Sequence, residues 1–223
     1  MLLAIDTSTQ WMGLALFDGA QVISETIWRS QSHHTVELAP AVQQILAHSG
    51  VRPADLEVIG VALGPGSFTS LRIGLAVAKG MALGLHIPIV GVPTLDILAA
   101  QVPVNELPLA AVLQAGRSRL ALGLYSCVMG SAWQQQGEPR IVTVDQLSDL
   151  IHKPTLVWGE LNAHERQLLA RKRKNVVLAS PAQTLRRPSY LAEIAWRRWQ
   201  LGQTDEVVAL APIYLHVAEA IPE

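Results

Sequence analysis

Short apolar runs separated by polar turns fill the first hundred residues, and their period shifts from two toward that of a helix. Leu2–Asp6, Trp11–Phe17 and Gln21–Trp28 predict three short strands. Asp18-Gly19 is a hairpin signal between the second and third, and the link Thr7–Gln10 is also tight, so the three form an antiparallel meander. Thr35–His48 places Val36, Ala39, Val42, Ile45 and Leu46 at helical spacing, with Pro40 predicting a bent start and Gly50 a C-terminal cap. A buried strand over 58–63, a helix over 68–85, a strand Ile87–Val92 and a short helix Thr94–Gln101 complete this half. The order β-β-β-α-β-α predicts a mixed sheet with helices on its faces.

The segment Pro103–Pro108 reads as a lobe boundary, giving an N-terminal lobe over 1–105 and a C-terminal lobe over 106–223. In the second half the pattern is weaker. Leu109–Gln114, Leu120–Val128, Thr155–Trp158 and Asn175–Leu178 predict strands, and Asp145–Ile151, Leu161–Ala170 and Ser189–Leu201 predict helices.

With 223 residues, half of them apolar, the chain can bury a sizeable core. Its net charge of −1 selects no partner class. The halves differ: residues 1–110 carry four basic and eight acidic residues, residues 111–223 thirteen and ten. The basic excess gathers at Arg171-Lys172-Arg173-Lys174, which reads either as a solvated helix end or as a nucleic-acid contact. One cysteine, Cys127, excludes an intrachain disulfide. The opening run Leu2-Leu3-Ala4-Ile5-Asp6 reads as a strand rather than as a signal peptide, and Arg72, Lys79, His86 and Pro88 interrupt the apolar stretch 71–92. The expectation is a cytoplasmic protein without a membrane span.

The run Gly64-Pro65-Gly66-Ser67-Phe68-Thr69-Ser70-Leu71-Arg72-Ile73-Gly74 links a buried strand to the longest helix. Its glycines permit a sharp turn, and Ser67, Thr69 and Ser70 can cap the helix start. Such a turn either cradles an anion or sets two elements at a fixed angle. Asp6 and Thr7, ending the first strand, are open to the same two readings: a metal-bound phosphate site or a satisfied turn. The candidate anion set is therefore Asp6, Thr7, Gly64, Gly66, Ser67 and Arg72. The matching turn of the second half reads Leu113-Gln114-Ala115-Gly116-Arg117-Ser118, and the neutral Gln114 is a poor partner for Mg²⁺. His33-His34 lacks the four-residue spacing of helical metal ligands, and no His-x-x-x-His occurs. Neither a hydrolase elbow nor a Walker loop nor a dinucleotide fingerprint is present. No catalytic residue, metal or cofactor is expected.

The helix 68–85 contains Gly74, Gly80 and Gly84 among alanines, each glycine costing about 1 kcal/mol relative to Ala. Small residues admit a close neighbour, either the helix 35–48 or a helix of another subunit. Apolar residues around most of its circumference favour an intermolecular bundle. The expected interface is Leu38, Val42 and Ile45 with Leu71, Gly74, Leu75, Ala78, Met81 and Ala82.

Ala4-Ile5-Asp6-Thr7-Ser8-Thr9, the Gly64–Gly74 run, Ala78-Lys79-Gly80 and Ile87-Pro88-Ile89-Val90-Gly91-Val92 closely resemble the bacterial TsaB (YeaZ) family, over residues 1 to about 100. The resemblance is looser beyond residue 110, where Pro212-Ile213-Tyr214-Leu215 is a landmark. It implies an α/β, two-lobed actin/Hsp70-like (ribonuclease H-like) fold with mixed sheets. It further implies a paralogue of the catalytic subunit TsaD without that subunit's metal-binding histidines. Such a chain binds TsaD through N-lobe helices, forms an assembly with the ATPase TsaE, and meets tRNA through that assembly, which transfers threonylcarbamoyl to adenosine 37. Self-association through the same helices is the competing arrangement. A free-standing ATPase or kinase, and a peptidase of the M22 type, are the alternative functions. Gln114-Ala115-Gly116, His33-His34-Thr35 and Tyr214-Leu215-His216 depart from the family pattern.

Overall fold

The computed structural model describes residues 1–31, 33–116, 118–128, 132–172 and 174–215. Arg117, Arg173 and His216, which belong to the second-lobe turn, the basic run and the terminal landmark, lie outside the described residues. Two compact units divide the chain: Met1–Ile97 with Arg186–Ile213, and Leu98–Leu185 with Tyr214–Glu223.

In the first unit, β1 (Leu2–Asp6), β2 (Trp11–Phe17) and β3 (Val22–Arg29) form the expected meander. After α1 (His34–His48), β4 (Val58–Gly64) lies parallel to β1, and after α2 (Phe68–Leu85), β5 (Ile89–Pro93) lies parallel to β4. The sheet order is β3-β2-β1-β4-β5. Its central strands are apolar on both faces because both are covered. Leu3, Ile5, Leu14 and Ile59 pack with Leu38, Val42, Ile45, Leu75, Ala78 and Ala82 from α1 and α2. Leu2, Ala4, Ala15, Val58 and Ala62 on the opposite face pack with Leu191, Ala192 and Ala195. Those last residues belong to α6 (Pro188–Gln200), the final helix.

The sequence pattern had assigned 106–223 to the second lobe, yet residues 186–213 return to the first unit. Two strand glycines make room for α6. A Cβ on Gly13 would stand 3.0 Å from Pro188 Cδ, and one on Gly60 2.9 Å from Ala195 Cβ. Beyond α6 the chain covers the edge strand β5. Asp205 donates its N–H to Ile89 O at 2.9 Å and accepts from Gly91 N at 2.8 Å, so this edge is not left open.

The second unit contains a sheet ordered β11-β10-β6-β7-β8. It is built from β6 (Leu109–Gln114), β7 (Leu120–Val128), β8 (Ala132–Gln135), β10 (Thr155–Gly159) and β11 (Val176–Leu178), with β9 (Arg140–Val142) paired to β7. The four- and three-residue strands β8 and β9 have no counterpart in the sequence reading. The helices α4 (Val144–Leu150) and α5 (Ala163–Ala170), together with α3 (Thr94–Ala100), which runs across the division after Ile97, match it closely. Thr143 and Asn162 begin α4 and α5 with reciprocal capping boxes.

By length and composition α2 is apolar enough to cross a membrane, contrary to the expectation that no such segment exists. Here it packs on β4 and β1, with Leu71, Gly74, Leu75, Ala78 and Ala82 buried. Its glycines divide by environment. A Cβ on Gly74 would stand 2.1 Å from Thr7 Oγ1, whereas one on Gly80 or Gly84 would meet nothing within 4 Å. Gly74→Ala should therefore destabilise the chain by about 1–3 kcal/mol. Gly80→Ala should stabilise it by about 0.5–1 kcal/mol. Urea unfolding of the two variants checks both signs.

Candidate functional site

Two regions of the first unit were singled out by sequence: the polar corner at the end of β1 and the helical face of α1 and α2.

At the corner, Gly64 has φ +103°, in the left-handed region that favours glycine, and its N–H donates to Thr94 Oγ1 at 3.0 Å. The Ser67 N–H donates to Ser8 O at 2.7 Å, bringing the start of α2 against the end of β1. The approach is so close that a Cβ on Gly66 would stand 2.1 Å from Ser8 O. Thr7 Oγ1 donates to Ser70 O at 2.8 Å, and the Ser8 and Thr94 hydroxyls are bonded at 2.8 Å. Ser67 caps α2, and its Oγ accepts from Ser70 Oγ at 2.9 Å.

Asp6 is engaged by a residue the sequence reading did not select. Arg186 Nε donates to Asp6 Oδ2 at 2.5 Å and Nη2 to Oδ1 at 3.2 Å, and the two side chains are only 1% and 3% exposed. Oδ1 also accepts the Ser8 N–H at 2.9 Å. Of the two readings left open for this turn, the geometry matches the fixed corner: Asp6, Thr7, Gly64, Gly66 and Ser67 are tied to the chain itself. Arg72 is exposed on α2, its guanidinium 3.6 Å over the Phe68 ring.

Arg187 continues the clamp begun by Arg186. Its guanidinium donates to Glu25 Oε2 from Nε at 2.9 Å and from Nη2 at 2.6 Å, and Glu25 Oε1 accepts the Ser189 N–H at 2.9 Å. The hydrogen bond to Glu25 raises the Arg187 pKa above its ordinary value. Consecutive arginines thus fix the start of α6 to β1 and to β3.

In the second unit Gln114 ends β6, and Glu165 of α5 supplies the carboxylate beside it. Glu165 Oε2 accepts from Gln114 Nε2 and from the Asn162 N–H, both at 2.7 Å, while Oε1 is buried without a hydrogen-bond partner among the described residues. The spacing Asn162-x-x-Glu165 of a capping box was the available signal. His34 is buried with Nε2 3.0 Å from Thr9 O, and His33 Nδ1 lies 4.0 Å from Glu37 Oε1. Among the described residues no group of three or more His, Cys, Asp or Glu could hold a metal ion. The Arg171–Lys174 run begins at the C-cap of α5, and Lys172 Nζ donates to Ser148 O at 2.5 Å.

The helical face needs correction. Leu38, Val42, Ile45, Leu71, Gly74, Leu75, Ala78 and Ala82 are buried in the unit's own core, and Met81 is half-buried. The α1 residues pack over β2 and β3 and the α2 residues over β4 and β1, and all but Met81 are buried there, so they are not a docking surface. A bulky residue at Ala78, 0% exposed, would break packing rather than report on a partner. The outward face carries different residues: Val36, Ala39, Pro40 and Gln43 on α1, and Ala76, Gly80, Leu83 and Gly84 on the adjoining α2. Val36 is 67% and Leu83 58% exposed. On this face a Cβ at Gly80 or Gly84 would meet nothing within 4 Å among the described residues.

The two α/β units with mixed sheets define the actin-like fold class. A solved structure of component A of (R)-2-hydroxyglutaryl-CoA dehydratase from Acidaminococcus fermentans shares the fold alone, with a TM-score of 0.50 at 12% identity, covering 88% of this chain and 98% of that one. The model of the family described as "TsaD: tRNA N6-adenosine threonylcarbamoyltransferase" matches residues 21–184. The Bacillus subtilis "tRNA threonylcarbamoyladenosine biosynthesis protein TsaB" is 34% identical over 98% of this chain and 95% of its own length. A Pseudomonas aeruginosa structure described as similar to peptidase YEAZ superposes with a TM-score of 0.79 at 25% identity, covering 96% of this chain and 99% of that one. The chain belongs to the TsaB (YeaZ) family of tRNA threonylcarbamoyladenosine biosynthesis proteins, a paralogous branch of the TsaD family.

Thr94, 0% exposed, joins β5 to the corner. Thr94→Val removes the acceptor for the Gly64 N–H and should cost about 1–3 kcal/mol in urea unfolding. A loss below about 0.5 kcal/mol would show that the corner is held by other means.

Proposed function

We propose that the chain is a non-catalytic subunit of a cytoplasmic assembly that forms threonylcarbamoyladenosine on tRNA, and that it docks on a TsaD-like catalytic subunit through the outward face of α1 and α2. The observation that carries this reading is the environment of Gly80 and Gly84. Each costs helix stability of about 1 kcal/mol, and a Cβ at either would meet nothing within 4 Å. Internal packing gives no reason for them, but a helix from a partner does, because side-chain size sets how near two helix axes come. Val36, Ala39 and Leu83 provide the apolar border of that face.

The corner supports the non-catalytic part. Its carboxylate and hydroxyls are satisfied within the chain, and the second unit presents the neutral Gln114 at the corresponding strand end. This also weighs against a free-standing ATPase. The hydroxyl of Ser67 is occupied in capping and the His34 ring faces a backbone carbonyl, which weighs against a peptidase. A TsaE-like ATPase and tRNA then meet the assembly rather than this chain alone, and a homodimer would use the same face in competition with the TsaD-like subunit.

The variants Gly80→Trp and Leu83→Asp test the proposal against the TsaD-like subunit of the same cell. Each should weaken binding at least about tenfold, which is 1.4 kcal/mol. The melting temperature should stay within about 3 °C of the parent. Unchanged binding by both variants would move the interface elsewhere.

A further inference from the structure

An actin-like fold implies a metal-bound nucleotide at the hairpin that ends β1, so the residues there can be tested for fit. They do not fit. Mg²⁺ requires oxygen ligands at about 2.0–2.1 Å in octahedral geometry. Both carboxylate oxygens of Asp6 instead receive Arg186, at 2.5 Å and 3.2 Å, and Oδ1 also receives the Ser8 N–H. The Arg186 Nη2 group reaches two further acceptors, Thr9 Oγ1 at 3.3 Å and Trp11 O at 3.2 Å.

We infer that Arg186 is a built-in counter-ion: its guanidinium stands where a bound cation would meet Asp6, and the corner is a cation site liganded from within the chain. Three features of the geometry support this. The guanidinium is permanently charged and planar, so it matches a carboxylate through two parallel donors at any ordinary pH. The pair is almost fully buried, so neither charge is compensated by bulk water and each depends on the other. Arg186 is also the first residue of the segment that returns to the first unit, immediately before Arg187 and α6. The pair therefore couples the end of β1 to the helix covering the sheet's second face. In a nucleotide-dependent relative of this fold class a ligand would bring that charge; in this chain position 186 does.

The inference names a ligand class for the vacated site. Without the arginine side chain, Asp6 would be a buried carboxylate beside the Thr9 hydroxyl and the Trp11 carbonyl, suited to free guanidinium or a small divalent cation. The test is thermal unfolding of the full chain. For the parent, millimolar Mg²⁺ with or without ATP should leave the melting temperature unchanged. Arg186→Ala should melt about 10 °C lower, and millimolar guanidinium or Mg²⁺ should restore part of the loss. Adding Asp6→Asn to Arg186→Ala should abolish that restoration. Should Arg186→Ala fail to fold, the neutral pair Asp6→Asn with Arg186→Met carries the comparison: it should fold, because no charge is left unpaired. A parent stabilised by Mg²⁺-ATP, an Arg186→Ala variant as stable as the parent, or a neutral pair no better than Arg186→Ala would each overturn the inference.

Discussion

The start of α2 stands hard against the end of β1, and the arrangement of the rest follows from this contact. Gly66 stands against Ser8 O and Gly74 against Thr7 Oγ1 at separations that admit no methyl group. The Ser67 N–H and the Thr7 hydroxyl bond across this seam, so the polar groups of both elements are satisfied as they come together. With α2 fixed there, its Leu71, Leu75, Ala78 and Ala82 side is committed to β4 and β1. Its other side, with Ala76, Gly80 and Gly84, is turned outward.

A second constraint closes the opposite face of the sheet. The chain leaves the first unit after Ile97 and comes back at Arg186, where two arginines in succession meet Asp6 and Glu25. Gly13 and Gly60 let α6 lie directly on the strands. Breaking a buried ion pair by removing one partner costs about 3–5 kcal/mol, so Asp6 serves the fold strongly whatever else it does. The groups that would give an actin-like site its chemistry hold this one together. The surface proposed for a partner is an apolar face whose small residues are unexplained from inside.

Much of this was legible along the chain. The meander followed from alternation and Asp18-Gly19, and Gly50 does adopt a positive φ of 65° just beyond α1. The resemblance carried by the Gly64–Gly74 run identified the family and its fold. Orientation of α2 was not legible, because Ala78 and Ala82 on its buried side are chemically like Ala76 and Gly80 on its exposed side, and a helix of small residues carries little directional pattern. The interface was accordingly assigned to core residues. Arg186 was hidden for a different reason: its partner lies 180 positions away, and nothing local distinguishes a buried arginine from a solvated one. The return of α6 to the first unit has the same cause, since its apolar stripe states that it packs but not on which sheet. β8 and β9 are too short for a period to show.

The central claim is that this chain contributes a surface, borne by the outward sides of α1 and α2, and that its β1 corner is internal structure. Backbone hydrogen exchange, compared with and without the TsaD-like subunit, tests it most directly. The account predicts slowed exchange over α1 and α2, centred on Ala76–Gly84, with the strand ends at Asp6 and Gln114 unchanged. Protection confined to those strand ends, with α1 and α2 exchanging as before, would contradict it.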